Sequence, residues 1–259
     1  MICTATGLRA YGRVTALWRR QPAATAAVAQ CRLLLKQQLR SHSAAADEDK
    51  YLELKQLRDI KSEEFYDRHG QERRYFYYID LQGRLFLENT RPKNIATSLK
   101  SAKFLRFFFS QIRPNAPTPA AAIDEELQFP EYPFRSPCGK EMNFIKCADR
   151  PFVFEDFYMG EKTNKWLFVY GGGELTAPFQ PDALKISLST GRLYHDFKTK
   201  HASPGKASVA LIKSQLAVEF GRSINVFDEP VQATQDRDRG VVIGDFEWHG
   251  EKFPIQAIE

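Results

Sequence analysis

The spacing of apolar residues along the chain predicts several β-hairpins. Residues 75–79 are aromatic and β-branched strand formers, and residues 80–83 supply a turn before the apolar residues 85–87. The same combination of strand formers around a turn recurs at residues 184–197 and 241–258. Shorter runs of strand formers lie at residues 132–135, 142–146, 152–158 and 166–170. Strands therefore account for most of the predicted elements.

Helical spacing predicts two long helices and a charged lead-in helix. Residues 101–113 carry apolar side chains around more than half of a helical wheel, so this helix is expected to be largely buried before Pro114 ends it. A second long helix is predicted for residues 203–221, which begin with a Ser-Pro start signal and end at a glycine. The charge-dense residues 47–72 predict an exposed lead-in helix.

Together these elements predict an α+β fold, with antiparallel β-sheets of short strands and hairpins packed on two long helices. The sheets are expected to be antiparallel because tight turns, rather than helical crossovers, join the strands. One helix with several strands in each half suggests two similar subdomains within residues 73–259. The Pro-rich residues 114–131 are expected to form a mobile loop, and residues 228–240 a second, polar loop.

The first 46 residues differ from the rest of the chain in charge. They contain seven basic residues and no Asp or Glu, which leaves 30 basic against 32 acidic residues in the remainder. Arg9, Arg13 and Arg20 share one side of a helical wheel, opposite a cluster of apolar residues. A basic, acid-free amphipathic helix is typical of mitochondrial transit peptides. Residues 1–46 are therefore predicted to be a cleavable targeting peptide that binds the mitochondrial import machinery.

The charge distribution also limits the expected partners. The formal net charge of +5 arises from the leader, and the remainder of the chain is slightly acidic, so no nucleic-acid partner is expected. The apolar runs of the leader are too short and too charged for a membrane span. A leader without a following apolar stop segment favours the mitochondrial matrix, where a protein partner is expected.

Cys138 and Cys147 are the two cysteines that follow the leader. Zinc sites usually contain two close cysteine pairs, and a disulfide scaffold needs more than two cysteines. Neither a metal nor another cofactor is therefore expected. A reducing compartment favours free thiols, and the predicted role of both residues is that of small side chains flanking a strand.

Five residues are candidates for ligand binding, and each has a structural alternative. Asp149 and Arg150 lie in an Asp-Arg-Pro turn, where the guanidinium can bind an anion with Arg192 as a second clamp. The alternative is a turn in which the Asp caps the backbone and the Arg packs on an aromatic ring. Gly172 follows a strand, as in phosphate-binding loops, or is a turn residue that needs a positive φ. His195 is a ligand or catalytic companion, or a structural histidine within a strand.

A series of short motifs runs from about residue 74 to about residue 220. It comprises Tyr75-Phe76-Tyr77-Tyr78 with Gly83, Arg113-Pro114-Asn115, Cys138-Gly139, Asn143-Phe144, Cys147, Asp149-Arg150-Pro151, Gly171-Gly172-Gly173, Pro178-Phe179 and Gly191-Arg192-Leu193-Tyr194-His195. In this series the chain resembles the uncharacterised protein family 0598 of animals and protists. The resemblance implies a mitochondrial location and a fold, but no chemistry. The order of elements is also similar to that of certain bacterial proteins of unknown function.

No recognisable catalytic constellation is present in the sequence, and catalytic residues therefore stay unassigned. This favours a non-enzymatic binding or assembly module that works through protein contacts or a small ligand. The alternative is an enzyme that acts on a small anionic metabolite, with the Asp-Arg turn, Arg192 and His195 converging on one pocket. The two hypotheses differ in geometry, because only the second requires these side chains to meet.

Overall fold

The computed structural model describes residues 60–115, 129–161, 164–202, 208–232 and 241–258. Five of the predicted features lie wholly or partly outside these ranges: the targeting peptide at 1–46, residues 47–59 of the lead-in helix, residues 116–128 of the Pro-rich loop, residues 203–207 of the second long helix and residues 233–240 of the polar loop. None of the helices in the described ranges is long and apolar enough to cross a membrane.

The described residues are mostly β-strands, with three helices and one short 3₁₀ turn. The strands are β1 (Arg74–Ile79), β2 (Leu85–Leu87), β3 (Arg113–Pro114), β4 (Phe134–Cys138), β5 (Glu141–Cys147), β6 (Val153–Phe154), β7 (Asp156–Gly160), β8 (Lys165–Tyr170), β9 (Leu175–Pro178), β10 (Leu184–Ser187), β11 (Leu193–Phe197), β12 (Ser208–Ile212), β13 (Ile224–Gln232), β14 (Val241–Trp248) and β15 (Glu251–Ile258). The helices are α1 (Glu63–Gly70), α2 (Ala102–Ser110) and α3 (Ser214–Gly221).

These strands form three sheets. The first has the order β2-β1-β5-β4-β3, the second β13-β14-β15-β10-β11-β12-β6, and the third β7-β8-β9. The three predicted hairpins are confirmed as the antiparallel pairs β1–β2, β10–β11 and β14–β15.

The prediction of purely antiparallel sheets is wrong, because the sheets of the described chain are mixed. Three pairs are parallel: β1 with β5, β10 with β15, and β12 with β6. The strands of each parallel pair are far apart in the sequence, and turn signals report only on strands that follow one another.

The prediction of two long helices is also wrong. Helix α2 lies where the first was expected, but it has nine residues. In place of the second, residues 208–212 form β12, and the helical part of the described segment 208–221 is residues 214–221. Strand β12 pairs with β11 on one side and β6 on the other, and its apolar side chains are covered on both faces. A strand covered on both faces has a continuous apolar run, which periodicity alone does not distinguish from a helix.

The polar loop predicted for residues 228–240 begins later than expected. Strand β13 extends through residue 232 and pairs with β14, with a register shift between Val226 and Val231. Polar residues and a proline within an edge strand masked its strand character in the sequence.

One apolar core joins all three sheets. It includes Ile79 of the first sheet, Phe168 of the third and Ile255 of the second, each of them fully buried. Aromatic rings contribute heavily, as in the stacked pair Phe154 and Phe168, whose centroids lie 4.3 Å apart. The two suggested subdomains therefore share a single core.

Glu155 lies where the three sheets meet. It connects β6 of the second sheet to β7 of the third, and its Oε1 accepts a hydrogen bond of 2.7 Å from the Gly172 N–H in the turn between β8 and β9. The same carboxylate lies against Gly83 in the β1–β2 turn, where a Cβ atom would be 3.3 Å from Oε1. The Glu155 side chain thus contacts the β1–β2 turn of the first sheet and the β8–β9 turn of the third. Its backbone joins β6 of the second sheet to β7 of the third.

We expect Phe108→Ala to lower the free energy of unfolding by about 3–5 kcal/mol, because the Phe108 ring on α2 is fully buried and its removal leaves a cavity. Phe107→Ala is the matched control, since this neighbouring ring is 48% exposed. Its effect should stay below about 1 kcal/mol. Urea unfolding of both variants measures the difference. Equal losses would show that the packing of α2 is described incorrectly.

Candidate functional site

Three of the predicted site residues meet at one carboxylate. Asp149 Oδ2 accepts hydrogen bonds from Arg192 Nη1 at 3.0 Å and from the Tyr194 hydroxyl at 2.7 Å. Arg150 Nε lies 3.6 Å from the other oxygen, Asp149 Oδ1. The Asp149 side chain is 11% exposed, so this cluster is largely shielded from solvent. Tyr194 is the member that sequence reasoning missed, although its position two residues after Arg192 places both side chains on one face of a strand.

The geometry of this cluster matches the structural alternative for the Asp-Arg-Pro turn. The Arg150 guanidinium packs over the Tyr194 ring, with Cζ 5.6 Å from the centroid. Both guanidiniums are engaged by the Asp149 carboxylate, which neutralises positive charge that an anionic ligand would otherwise meet. A ligand-binding role for Asp149, Arg150 and Arg192 stays a prediction.

Two further neighbours of Asp149, Tyr194 and Cys147, are held in their neutral forms. Burial raises the pKa of Tyr194, and its hydrogen bond to the Asp149 carboxylate raises it further. Burial also raises the pKa of the Cys147 thiol to about 12, with a smaller contribution from the charge of Asp149. A thiol with such a pKa is protonated at neutral pH, which removes Cys147 as a thiolate nucleophile.

His195 lies on the opposite side of β11 from this cluster. Successive side chains of a strand point to opposite faces, so Tyr194 faces Asp149 while His195 faces the core. The imidazole is fully buried, and its Nε2 lies 3.0 Å from the carbonyl oxygen and 3.1 Å from the nitrogen of Gln180. Burial lowers the pKa of His195 to about 4. His195 is therefore a neutral residue that holds Gln180, just before the 3₁₀ turn Pro181–Ala183, against the second sheet.

The predicted pocket of four converging side chains does not form. The Asp-Arg turn and Arg192 come together, but the second sheet separates them from His195. This alternation was visible in the sequence, because Arg192 and His195 are separated by an odd number of positions along a predicted strand.

The three consecutive glycines form a turn that needs their conformation. Gly171, Gly172 and Gly173 all have positive φ, with values of 68°, 75° and 92°. A Cβ atom on Gly172 would lie 2.6 Å from Leu105 Cδ1 of α2. The N–H of Gly172 donates a hydrogen bond to the Glu155 carboxylate. Burial raises the pKa of Glu155, and this hydrogen bond lowers it. The structural explanation for Gly172 thus accounts for its position, and its role as a ligand contact stays a prediction.

The two cysteines lie near opposite ends of the β4–β5 hairpin, Cys138 at the end of β4 and Cys147 at the end of β5. Cys138 pairs with Glu141 at the start of β5, and Cys147 is its last residue. Six residues of extended chain span about 20 Å, too far for a shared metal ion. In the described part of the chain, no group of three or more His, Cys, Asp or Glu residues is arranged to hold a metal ion.

A buried ionic network around Glu88 was missed by sequence reasoning. Glu88 is 4% exposed, and its carboxylate accepts hydrogen bonds from the Tyr66 and Tyr132 hydroxyls and from Lys146 Nζ at 2.8 Å. Lys146 Nζ also lies 4.4 Å from the centroid of the Tyr132 ring. These partners come from α1, β5 and the segment before β4, so no local sequence pattern could have linked them. A fully satisfied network of this kind holds α1 on the first sheet.

We expect His195→Gln to remove part of the acid sensitivity of the fold. Between pH 6.5 and about 4 the unfolded chain binds a proton that the buried His195 does not, so the free energy of unfolding falls as the pH falls. Above this range both states are neutral at this residue, and below it both are protonated. The contribution reaches about 3 kcal/mol across the range.

Urea unfolding at pH 7, 5.5 and 4.5 measures this effect as the difference between wild type and variant. The exposed His249→Gln is the matched control and should follow the wild type. An identical pH dependence of His195→Gln and wild type would contradict a buried, neutral His195.

A family model described as a domain of unknown function, DUF4505, matches residues 66–257. Among solved structures, a DUF1285 family protein from Silicibacter pomeroyi DSS-3 is 16% identical, with a TM-score of 0.36, over 71% of this chain and 83% of its own. A DUF1285 family protein from Shewanella baltica OS155 is 14% identical, with a TM-score of 0.36, over 58% and 94%. Membership of an uncharacterised family is thus confirmed, whereas the resemblance to family 0598 stays a prediction. Because the matched residues make up most of its length, the chain belongs to the DUF4505 family of domains of unknown function.

Proposed function

We propose that this protein is a non-enzymatic binding or assembly module of the mitochondrial matrix that works through contacts with a protein partner. The proposed location rests on the acid-free, basic residues 1–46. The proposed mode of action rests on one observation in the third sheet: its edge strand β7 exposes large apolar side chains.

Strand β7 has the properties of a template for strand addition. It lies at the edge of the third sheet, next to β8. Its consecutive residues Tyr158 and Met159 are 41% and 39% exposed. Because neighbouring residues of a strand point to opposite faces, both faces of the strand are uncovered at this point. An extended segment of a partner can pair with such an edge through backbone hydrogen bonds and gain specificity from the apolar side chains.

The other long edge strand is less suited to this role. Strand β13 also exposes apolar side chains, with Val226 at 51% and Phe227 at 38%. It contains Pro230, which has no N–H to donate, and its pairing with β14 is irregular after Val226. Proline and irregular pairing are features by which proteins protect edges from pairing with other chains. Strand β7 contains neither a proline nor a lysine.

The alternative, an enzyme acting on a small anionic metabolite, loses the pocket on which it was based. Its cationic residues Arg150 and Arg192 are engaged by Asp149, and His195 lies across the sheet in the core. The alternative therefore has no assembled set of acid, base and anion-binding groups among the residues for which it was proposed.

Proximity labelling in intact mitochondria tests the proposal, with the full-length chain fused to a labelling enzyme at its C-terminus. We expect the wild type to label one defined set of matrix proteins. The double variant Tyr158→Lys/Met159→Lys should lose that set, because two ammonium groups on an edge oppose pairing with another strand.

Leu188→Lys is the matched control, since Leu188 is 66% exposed but lies in the turn that follows β10. It should label the same proteins as the wild type. A chain without residues 1–46 should remain in the cytosol and label none of them. Diffuse labelling by the wild type, or retention of the labelled set by the double variant, would refute the proposed contact.

A further inference from the structure

Two arginines face each other across strands β3 and β4. Arg113 and Arg135 are direct partners in the antiparallel register. Side chains of such a pair leave the sheet on the same face, with Cβ atoms about 5 Å apart. Like charges in this position destabilise a sheet unless something neutralises them. The pair therefore needs a source of negative charge.

The described part of the chain supplies no carboxylate to either guanidinium. Arg113 donates hydrogen bonds of 3.3 Å to the backbone oxygen and to Oε1 of Gln111, both of them uncharged acceptors. Arg135 Nε is buried, and no hydrogen-bond acceptor for it exists among the described residues. An unsatisfied buried donor on a charged group costs free energy, and no described residue offsets this cost at Arg135.

A histidine close to Arg113 responds to the positive charge of the pair. Burial lowers the pKa of His201, and the charges of Arg113 and Lys200 lower it further. The turn after β11 thus brings His201 close to the guanidinium of Arg113. The pair formed by Arg113 and Arg135 thus differs from Arg150 and Arg192, which share the carboxylate of Asp149.

We propose that Arg113 and Arg135 form a binding site for a small oxyanion that carries two negative charges, namely a phosphate group or a dicarboxylate. Each guanidinium presents a planar set of N–H donors that matches two oxygens of such a group. A dianion balances the charge of the two guanidiniums, which face each other across β3 and β4. Both arginines are half-buried, which leaves them accessible and reduces screening by solvent. The site is independent of the protein contact proposed for β7.

Isothermal titration of the full-length chain with inorganic phosphate and, separately, with succinate tests the site at constant ionic strength maintained with potassium chloride. We expect one anion to bind per chain, and the tighter of the two identifies the ligand group. Arg135→Gln and Arg113→Gln should each weaken binding at least about tenfold, because each removes charge-assisted hydrogen bonds. Arg135→Lys keeps the charge without the planar donors and should give an intermediate loss.

Two matched variants test whether the anion binds at this arginine pair rather than through positive charge elsewhere on the chain. The exposed Arg106→Gln removes a positive charge from α2 and should bind as the wild type does, and Tyr158→Lys/Met159→Lys should also retain binding. Circular dichroism confirms that each variant is folded. The proposal is overturned if neither anion binds beyond the chloride background, if Arg135→Gln binds like the wild type, or if Arg106→Gln weakens binding as much as Arg135→Gln.

Discussion

The junction at Glu155 is the constraint on which the arrangement of the three sheets depends. Its backbone passes from the second sheet to the third, and its carboxylate accepts the Gly172 N–H while lying against Gly83 of the first. A hydrogen bond to a charged acceptor contributes about 1.5–3 kcal/mol. Burial raises the pKa of Glu155, whereas this contact and the nearby charge of Lys213 lower it and so favour the carboxylate form. The absence of a Cβ atom at Gly83 lets the β1–β2 turn approach the carboxylate, and at Gly172 it avoids a clash with Leu105 of α2.

Three ionisable side chains in the described part of the fold, those of Asp149, Glu88 and His195, are likewise held by neighbouring groups. The carboxylates of Asp149 and Glu88 each accept several hydrogen bonds, and His195 is bound to the backbone of Gln180. Side chains in these networks stabilise the molecule and are poorly placed to act on a substrate. The groups proposed for recognition among the described residues are the apolar edge of β7 and the opposed arginines of β3 and β4. One is suited to a protein and the other to a small anion.

The elements that could be predicted from the sequence are those specified by local chemistry. The β1–β2 hairpin follows from strand formers around a Gly83 turn, and α2 from helical apolar spacing that ends before Pro114. The elements that could not be predicted depend on distant partners. Strand β12 has a sequence compatible with a helix, and its identity is determined by pairing with β6, more than fifty residues earlier. The opposition of Arg113 and Arg135 likewise requires the register of two strands separated by a long connection.

Backbone amide hydrogen exchange in Glu155→Ala tests the central role of this junction most directly. In the wild type the Gly172 amide should be protected, since its N–H is bound to the Glu155 carboxylate. In Glu155→Ala, Gly172 should exchange without protection, and amides of the β1–β2 turn should lose protection as well. Glu174→Ala, an exposed substitution two residues after Gly172, should leave both turns unchanged. Retained protection of Gly172 in Glu155→Ala would contradict the claim that this carboxylate holds the sheets together.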